Sequence, residues 1–263
     1  MSERKASITK VVADGQARTL AVLGGRPTGL AADGDGHLWV AGGGDALLRI
    51  APDGRVTMRL EGDEAGPFLF PNDLAFGPDG LLYMTDSGIA RSDLIVGGQL
   101  RGDFASRDYD GRLFAIDPHR GRVVRRLRTA MRFVNGIAFG ADGALYYSET
   151  LTGRVYRQEM DGDPEVFAQV SVDGPMDRFR GPDGMAFDVD GRLFCAIYGE
   201  GRIAIVDALG IALPCIPTNG DLPTNVAFRC GRSELLITEV QHGSVELVAT
   251  VSPGLPLHAP RIG

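Results

Sequence analysis

One short phrase occurs five times in this chain of 263 residues, and it constrains the fold more than any other feature. Each copy ends in an apolar run that reads as a strand. The five copies begin at Arg26, Phe70, Phe133, Gly181 and Leu222. In the first four, an Asp-Gly turn and a second apolar run follow, whereas in the last the second run comes without that turn. A period of roughly 40–50 residues built from strand pairs is typical of a propeller or an array.

The remaining pattern is that of short antiparallel strands. Asp-Gly pairs recur between apolar runs, and glycine takes the positive φ that such hairpin turns need. No segment has a sustained helical period. Residues 8–13 and 18–23 resemble the two outer strands of a blade whose inner strands are missing. We therefore predict an all-β, six-bladed β-propeller with an incomplete first blade. It would be a single domain over residues 1–263, with the partial blade in 1–24 and five repeats in 25–263.

The repeats also predict a site, because the innermost strand of each blade lines the channel of a propeller. The phrase brings one side chain from each copy there: Thr28, Asn72, Asn135, Asp183 and Asn225. The ends of the second strands return to the same face and add Asp86, Glu149, Tyr198 and Glu239. Oxygen ligands without His or Cys suit Ca²⁺, Mg²⁺ or Mn²⁺ better than a structural zinc. The alternative is that these side chains only cap tight loops by bonding to the backbone.

Composition excludes several classes of partner. The net charge is −7 and no basic block is present, so nucleic-acid binding has little electrostatic support. No stretch approaches the roughly 20 apolar residues of a membrane span, and no signal-type apolar run follows the N-terminus. The three cysteines lack metal-type spacing, and we interpret them as reduced thiols of a cytoplasmic protein. A small molecule is the expected partner, and the oligomeric state is left open.

Two long connections interrupt the repeats. Residues 87–110 lie between two strands of one repeat, and an insertion of this length is typical of a lid or specificity loop, or else of surface decoration. Residues 171–180 precede the fourth copy of the phrase and could reach the same face. That connection carries the charged residues Asp173, Asp177, Arg178 and Arg180.

The phrases resemble successive signatures of the regucalcin/gluconolactonase (senescence marker protein) family of β-propeller lactonases. The matching stretches are Phe70-Pro71-Asn72-Asp73, Val134-Asn135-Gly136, Gly181-Pro182-Asp183-Gly184-Met185 and the C-terminal Pro253-Gly254-Leu255-Pro256-Leu257. The resemblance implies one divalent cation in the channel and lactone hydrolysis as the usual activity. It implies metal-ligand roles for Asn135 and Asp183, and it implies that Asn72 and Asp73 contact the substrate or metal-bound water.

One signature of that family is missing. The resemblance calls for a Glu in a Glu-Gly-Pro phrase that opens the first blade, and this chain has no such phrase. Either the reading frame begins further upstream or the chain has lost this ligand. Glu149 or Glu239 could replace it, although both are expected further from the axis.

These observations predict a metal-dependent hydrolase that opens a small sugar-derived or hydroxy-acid lactone with cation-activated water. The cation would be Ca²⁺, with Zn²⁺, Mg²⁺, Mn²⁺ or Fe²⁺ as alternatives, held by Asn135, Asp183 and Asn72. Asp183 would orient or deprotonate the water, while Asn72 and Asp73 would bind the substrate. The alternatives are another hydrolase or a lyase on the same scaffold, and a non-catalytic propeller that binds a ligand or partner.

Overall fold

Antiparallel strands form nearly all the regular structure in the computed structural model, which describes residues 6–11, 16–172 and 176–263. The strands β1 (Ala6–Val11) and β2 (Ala17–Leu23) form a two-stranded sheet, blade 1. The next four, β3 (Leu30–Ala32), β4 (Leu38–Val40), β5 (Leu47–Ile50) and β6 (Val56–Leu60), form blade 2. Two short strands, β7 (Gly62–Asp63) and β8 (Gly66–Pro67), pair with each other after it.

Blade 3 contains the longer insertion. It starts with β9 (Pro71–Phe76) and β10 (Leu82–Asp86). The insertion then forms a one-turn helix, α1 (Arg91–Leu94), a small hairpin of β11 (Ile95–Val96) and β12 (Gln99–Leu100), and a 3₁₀ turn over Phe104–Ser106. The blade ends with β13 (Gly111–Asp117) and β14 (Arg122–Met131). In the described part of the chain, no helix is long and apolar enough to cross a membrane.

The last three blades follow the repeat. Blade 4 contains β15 (Val134–Phe139), β16 (Leu145–Glu149), β17 (Arg154–Gln158) and β18 (Glu165–Gln169), with a 3₁₀ turn at Thr150–Thr152. Blade 5 contains β19 (Gly181–Phe187), β20 (Leu193–Tyr198), β21 (Arg202–Val206) and β22 (Ala212–Pro217). Blade 6 contains β23 (Pro223–Phe228), β24 (Glu234–Glu239) and β25 (Ser244–Ala249). The predicted all-β propeller is confirmed, but the blade count differs slightly: five sheets of three or four strands form blades, and the predicted sixth, incomplete blade is present only as the two-stranded sheet of β1 and β2.

The core is divided among the interfaces between neighbouring blades, and one aromatic pair recurs in four of them. In each pair, a ring on the second strand of one blade meets a phenylalanine at the end of the inner strand of the next blade. The pairs and centroid distances are Trp39–Phe76 at 6.1 Å, Tyr83–Phe139 at 5.1 Å, Tyr146–Phe187 at 4.7 Å and Phe194–Phe228 at 5.2 Å. Edge-to-face packing of this kind adds roughly 0.5–1.5 kcal/mol per pair beyond area burial. The repeated aromatic position therefore joins each blade to its successor.

Glycines allow the inner strands to approach closely around the channel. The strands β3, β9, β15, β19 and β23 contact one another in that order. A Cβ atom on Gly136 would lie 2.1 Å from the backbone oxygen of Asp183, and one on Gly184 would lie 2.1 Å from Oδ1 of Asn225. A larger residue at Gly136 would push the neighbouring inner strand away, whereas one at Gly184 would displace the Asn225 side chain.

The two faces of blade 6 differ in burial. Val226, Leu235 and Ile237 pack against blade 5 and are at most 5% exposed. On the opposite face, Val245 is 58% and Leu247 55% exposed. In the described chain no further blade covers this second face, which we call the open face of blade 6.

The C-terminal tail, residues 253–263, crosses the end of the channel where the Asp-Gly turns lie. It leaves blade 5 with a hydrogen bond of 2.9 Å from Leu255 N to Phe187 O. His258 then packs against the Phe139 ring of blade 4 at 6.0 Å. In blade 2, Gly34 N donates to Pro260 O at 2.8 Å. The tail also contacts blade 3, where Nδ1 of His119 lies 3.1 Å from Ile262 O, and it lies across this end of the channel.

Candidate functional site

A cavity of about 940 Å³ occupies the channel, and the polar side chains predicted for the site line it. Six of the predicted residues reach it from the inner strands and the segments that lead into them: Thr28, Asn72, Asp73, Asn135, Asp183 and Asn225. Tyr198 lines it from the end of β20. Its volume is near the upper end of the roughly 300–1,000 Å³ that ligand pockets span.

The strand register corrects the position of Asn225. Pro71 pairs with Asp86 and Pro223 with Glu239, so residues at equal distance from these prolines are equivalent. Thr224 therefore corresponds to Asn72, and Asn225 corresponds to Asp73. The hydrogen bonds agree, because Asp73 Oδ1 and Asn225 Oδ1 each accept the N–H of the following residue, at 2.9 and 2.8 Å. The prediction that grouped Asn225 with Asn72 was wrong by one residue.

Asp73 and Asp183 form an interacting carboxyl pair. Asp73 is 7% exposed; burial raises its pKa to about 6, although hydrogen bonds from the backbone N–H groups of Leu74 and Ile137 oppose this. Asp183 is partly exposed to the channel. Burial beneath the surrounding protein, and then the charge of Asp73, raise its pKa well above the usual range. Arg26, the N–H of Gly184 and the Asn135 side chain act in the opposite direction. Two carboxylates this close repel each other unless a proton or a cation lies between them.

Asn135 provides a buried oxygen that lacks a partner. Its Nδ2 donates to Thr150 Oγ1 at 3.1 Å, which fixes the orientation of the amide. Its Oδ1 is buried, and no donor among the described residues makes a hydrogen bond to it. Asn72 is held in a similar way, because its Nδ2 donates to Ser87 Oγ at 2.8 Å. Buried polar atoms are normally satisfied, so an orphaned amide oxygen beside two carboxyls indicates room for a positively charged partner.

Hydroxyl groups that the sequence analysis did not assign to the site hold it in place. The second strands of blades 3 and 4 end in a hydroxyl–acid–hydroxyl pattern, Thr85-Asp86-Ser87 and Ser148-Glu149-Thr150. Ser87 Oγ donates to Val134 O at 3.0 Å, Ser148 Oγ to Asp183 O at 3.1 Å and Thr150 Oγ1 to Pro182 O at 2.8 Å. Each bond joins one blade to the inner strand of the next. Alignment of the second strands would have revealed this repeat.

The acids within that pattern are not positioned as ligands, which corrects their predicted role. Asp86 accepts the N–H groups of Leu69 and Phe70 at 2.8 and 2.9 Å and pairs with Arg112 at 2.8 Å. The Glu149 carboxylate accepts Arg132 N at 2.6 Å and Tyr156 OH at 3.0 Å. These acids instead anchor the segments that enter the inner strands.

Glu239 has the same role in blade 6. Its carboxylate accepts the backbone N–H groups of Leu222, Gln241 and His242 at 3.2, 2.9 and 2.8 Å. Burial raises its pKa, but these hydrogen bonds outweigh that effect, and the net pKa is lowered. Neither Glu149 nor Glu239 has a carboxylate free to replace the missing Glu.

Aromatic and aliphatic side chains surround the mouth of the cavity. Phe70 and Phe133 stand two residues before Asn72 and Asn135, and Phe179 comes from the second long connection. The insertion adds Leu94 and Leu100. Of the charged residues expected in the second connection, Asp177 and Arg178 are exposed, and Asp173 lies outside the described residues.

The three residues predicted as metal ligands, Asp183, Asn135 and Asn72, all carry side-chain oxygens and all line the cavity. The described residues contain no group of three or more His, Cys, Asp or Glu side chains able to hold a metal. Two of these three donors are amides, which suits a hard cation that accepts carboxamide and carboxylate oxygens. The residues present therefore fit such a cation, with the orphaned Asn135 Oδ1 as the specific observation.

Comparison with known proteins places this geometry in a family context. Residues 60–241 match the family described as SMP-30/Gluconolactonase/LRE-like region. A curated relative, lactonase drp35 of Staphylococcus epidermidis, is 27% identical over 142 residues, which are 53% of this chain and 39% of that protein. Lactonase drp35 of Staphylococcus haemolyticus is 26% identical over 63% of this chain and 49% of its own length. The chain thus spans less than half the length of these relatives.

Solved structures share the fold. A calcium-binding regucalcin from Agrobacterium tumefaciens superposes with a TM-score of 0.78 at 21% identity, covering 98% of this chain and 88% of that one. A gluconolactonase from Xanthomonas campestris gives a TM-score of 0.72 at 24% identity, covering 91% and 77%. Because the family match extends over more than half of the sequence, this chain belongs to the SMP-30/gluconolactonase/LRE-like family.

Proposed function

We propose that this protein is a lactonase that uses a divalent cation held in the channel by Asp183, Asn135 and Asn72. The single observation that carries the proposal is the buried Oδ1 of Asn135, which lacks a partner beside the Asp73–Asp183 pair. The drp35 and gluconolactonase relatives support the activity, and the regucalcin relative supports the cation. When bound, the cation would polarise the ester carbonyl and stabilise negative charge on its oxygen.

Asp183 is the proposed general base. Its side chain is partly exposed to the channel, and a carboxylate there can accept a proton from a water beside the substrate. It would take a proton from the attacking water as the water oxygen bonds to the acyl carbon. As the bond from the acyl carbon to the ring oxygen breaks, the same proton would pass to that oxygen. The product is a hydroxy acid.

Asn72 and Asp73 have separate proposed roles. Asn72 gives one amide hydrogen to Ser87, and its other amide hydrogen is available to a substrate oxygen. Asp73 bonds to Leu74 N of its own blade and to Ile137 N of the next, at 2.9 and 3.2 Å. We propose that Asp73 positions the inner strands and adds negative charge beside Asp183. The resemblance implied that Asp73 contacts the substrate. We propose that its main role is instead to form these backbone hydrogen bonds.

Proton release from lactones tests the proposal. We expect the purified protein to hydrolyse γ- and δ-lactones, to lose activity in excess chelator and to regain it with Ca²⁺ or another divalent cation. Asp183→Asn should lower kcat/KM by about 10²–10⁴-fold, the usual contribution of a general base. The same variant should abolish the rise in melting temperature that the cation causes. Full activity in Asp183→Asn, or in chelator, would contradict the proposal.

A control variant and product analysis make this test specific. Asp161 is a surface aspartate whose side chain is 95% exposed, and Asp161→Asn should leave both activity and the cation shift unchanged. Mass spectrometry of the product separates hydrolysis from elimination. A hydroxy acid is 18 Da heavier than its lactone, whereas an unsaturated acid of unchanged mass would identify a lyase.

A further inference from the structure

The mouth of the cavity is built from rings that contact one another in sequence. The Phe133 ring lies 6.0 Å from Phe70 and 5.0 Å from Phe179, both at steep angles. Phe179 in turn lies 5.9 Å from Tyr198. All four residues line the cavity, so the rings form an aromatic rim above the polar oxygens.

Phe133 is held at the centre of this rim against its backbone preference. Its φ is 63°, in the left-handed region that a bulky residue adopts only at a cost in free energy. Its carbonyl accepts Thr150 N at 3.0 Å, and Glu149 binds the preceding N–H of Arg132. Strain that the surroundings maintain is characteristic of functional sites. Here the strained backbone holds the aromatic ring of Phe133, two residues before Asn135 in the sequence, against the cavity.

The insertion completes an apolar wall. Leu94 and Phe104 are buried in one cluster with Phe70 and Phe133, and Leu100 packs against that cluster. Phe104 also contacts Phe179 at 5.6 Å. Leu94 and Leu100 face the cavity along with the rings. The insertion therefore presents Leu94 of α1 and Leu100 of β12 to the cavity, beside Arg91 at the start of α1.

We infer that the substrate is a lactone with an extended alkyl or aryl arm, with its ring among the polar oxygens and its arm in the aromatic rim. This inference rests on the proposed lactonase function. Hydroxyl groups of a sugar lactone would lose water against the Phe70, Phe133 and Phe179 rings without gaining hydrogen bonds there, which is unfavourable. An alkyl arm would instead gain from leaving water.

A chain-length series tests the inference. The substrates are γ-butyrolactone, its γ-alkyl derivatives with arms of two to eight carbons, and glucono-δ-lactone, each assayed with the cation-loaded protein. We expect kcat/KM to rise by up to about fourfold per methylene, because each buried methylene contributes about 0.8 kcal/mol. Glucono-δ-lactone should be hydrolysed more slowly than the long-arm lactones. A higher kcat/KM for glucono-δ-lactone than for every alkyl lactone would overturn the inference.

Variants locate the effect in the rim. Phe179→Ala should lower kcat/KM for the eight-carbon arm by roughly tenfold and leave γ-butyrolactone nearly unchanged. The matched control is Phe167→Ala, which removes a partly buried ring of β18 that packs on Tyr146 away from the cavity. It should lower stability without changing the dependence on arm length. An unchanged dependence in Phe179→Ala would overturn the assignment.

A binding measurement separates this inference from the proposed function. If no lactone is hydrolysed, the lactonase proposal fails, but the rim can still be tested with 5-alkyl-2-pyrrolidinones, which are lactams that resist hydrolysis. Calorimetric affinity that rises with arm length, and falls in Phe179→Ala, would support the apolar rim. Affinity independent of arm length would overturn it.

Discussion

Blade 6 presents two sheet faces that differ in what covers them. Ile237 and Leu236 are neighbours in β24, yet Ile237 is fully buried against blade 5 and Leu236 lies on the open face. Leu236 pairs across the sheet with Ala227 and Leu247, whereas the buried aromatic Tyr83 occupies the equivalent place in blade 3. Side chains of similar hydropathy thus contribute differently to stability, because those with a neighbouring blade lose more of their contact with water on folding.

The largest expected effect is the contrast between those two neighbours. Ile237→Ala should lower the free energy of unfolding by about 2–5 kcal/mol, because it opens a cavity between blades 5 and 6. Leu236→Ala should lower it by less, about 1 kcal/mol, since that side chain is only partly buried and no blade packs against it. Chemical denaturation of both variants measures the difference. Equal losses would show that the open face is covered in solution.

A second contrast concerns the hydroxyls that join blades. Ser148 is fully buried, accepts Gly136 N at 2.8 Å and donates to Asp183 O. Ser148→Ala leaves these two groups unpaired and should cost about 1–3 kcal/mol of unfolding free energy. Thr238 occupies the same register position in blade 6 but is exposed, and its Oγ1 donates to Asn225 O in its own blade. Thr238→Ala should change stability by no more than about 0.5 kcal/mol. Thermal unfolding measures both variants. A greater loss of stability in Thr238→Ala than in Ser148→Ala would contradict the prediction.

The smallest effect on stability is expected for Leu247→Lys. Leu247 is 55% exposed, so its replacement should shift the free energy of unfolding by no more than about 0.5 kcal/mol. An uncovered apolar face and a sheet edge favour association between chains, and a lysine there opposes it. Light scattering at increasing concentration should therefore show less association in the variant. The matched control is Val248→Lys, which places a charge on the opposite face against blade 5 and should destabilise the protein strongly.

The repeats allowed the fold to be predicted from the sequence, whereas the strand register and the long-range contacts were harder to predict. The inner-strand phrase predicted that side chains from successive blades meet in the channel, and Asn72, Asp73, Asn135 and Asp183 do line one cavity. Asn225 was misplaced because the phrase can be aligned on its asparagine as easily as on its proline, and only pairing with Glu239 decides between them.

The acids at the ends of the second strands were misjudged for a different physical reason. Sequence position shows which face of a propeller an acid reaches, but not whether a backbone N–H already occupies its oxygens. Asp86 receives three such N–H groups and a buried arginine, which leaves it a structural anchor. The contribution of Phe179 was hidden because its connection looked polar as a whole.

The C-terminal tail has a mechanical consequence. A mechanical force that is transmitted around the ring from blade 5 to blade 2 passes through blades 4 and 3. The tail offers a shorter route across the diameter, with bonds to Phe187 at one end and to Gly34 and Asp35 at the other. The tail links blades 2 and 5 directly. A force that separates these two blades must therefore break the hydrogen bonds of the tail as well as the contacts between neighbouring blades. An interrupted ring braced in this way can keep its channel open without being a complete circle.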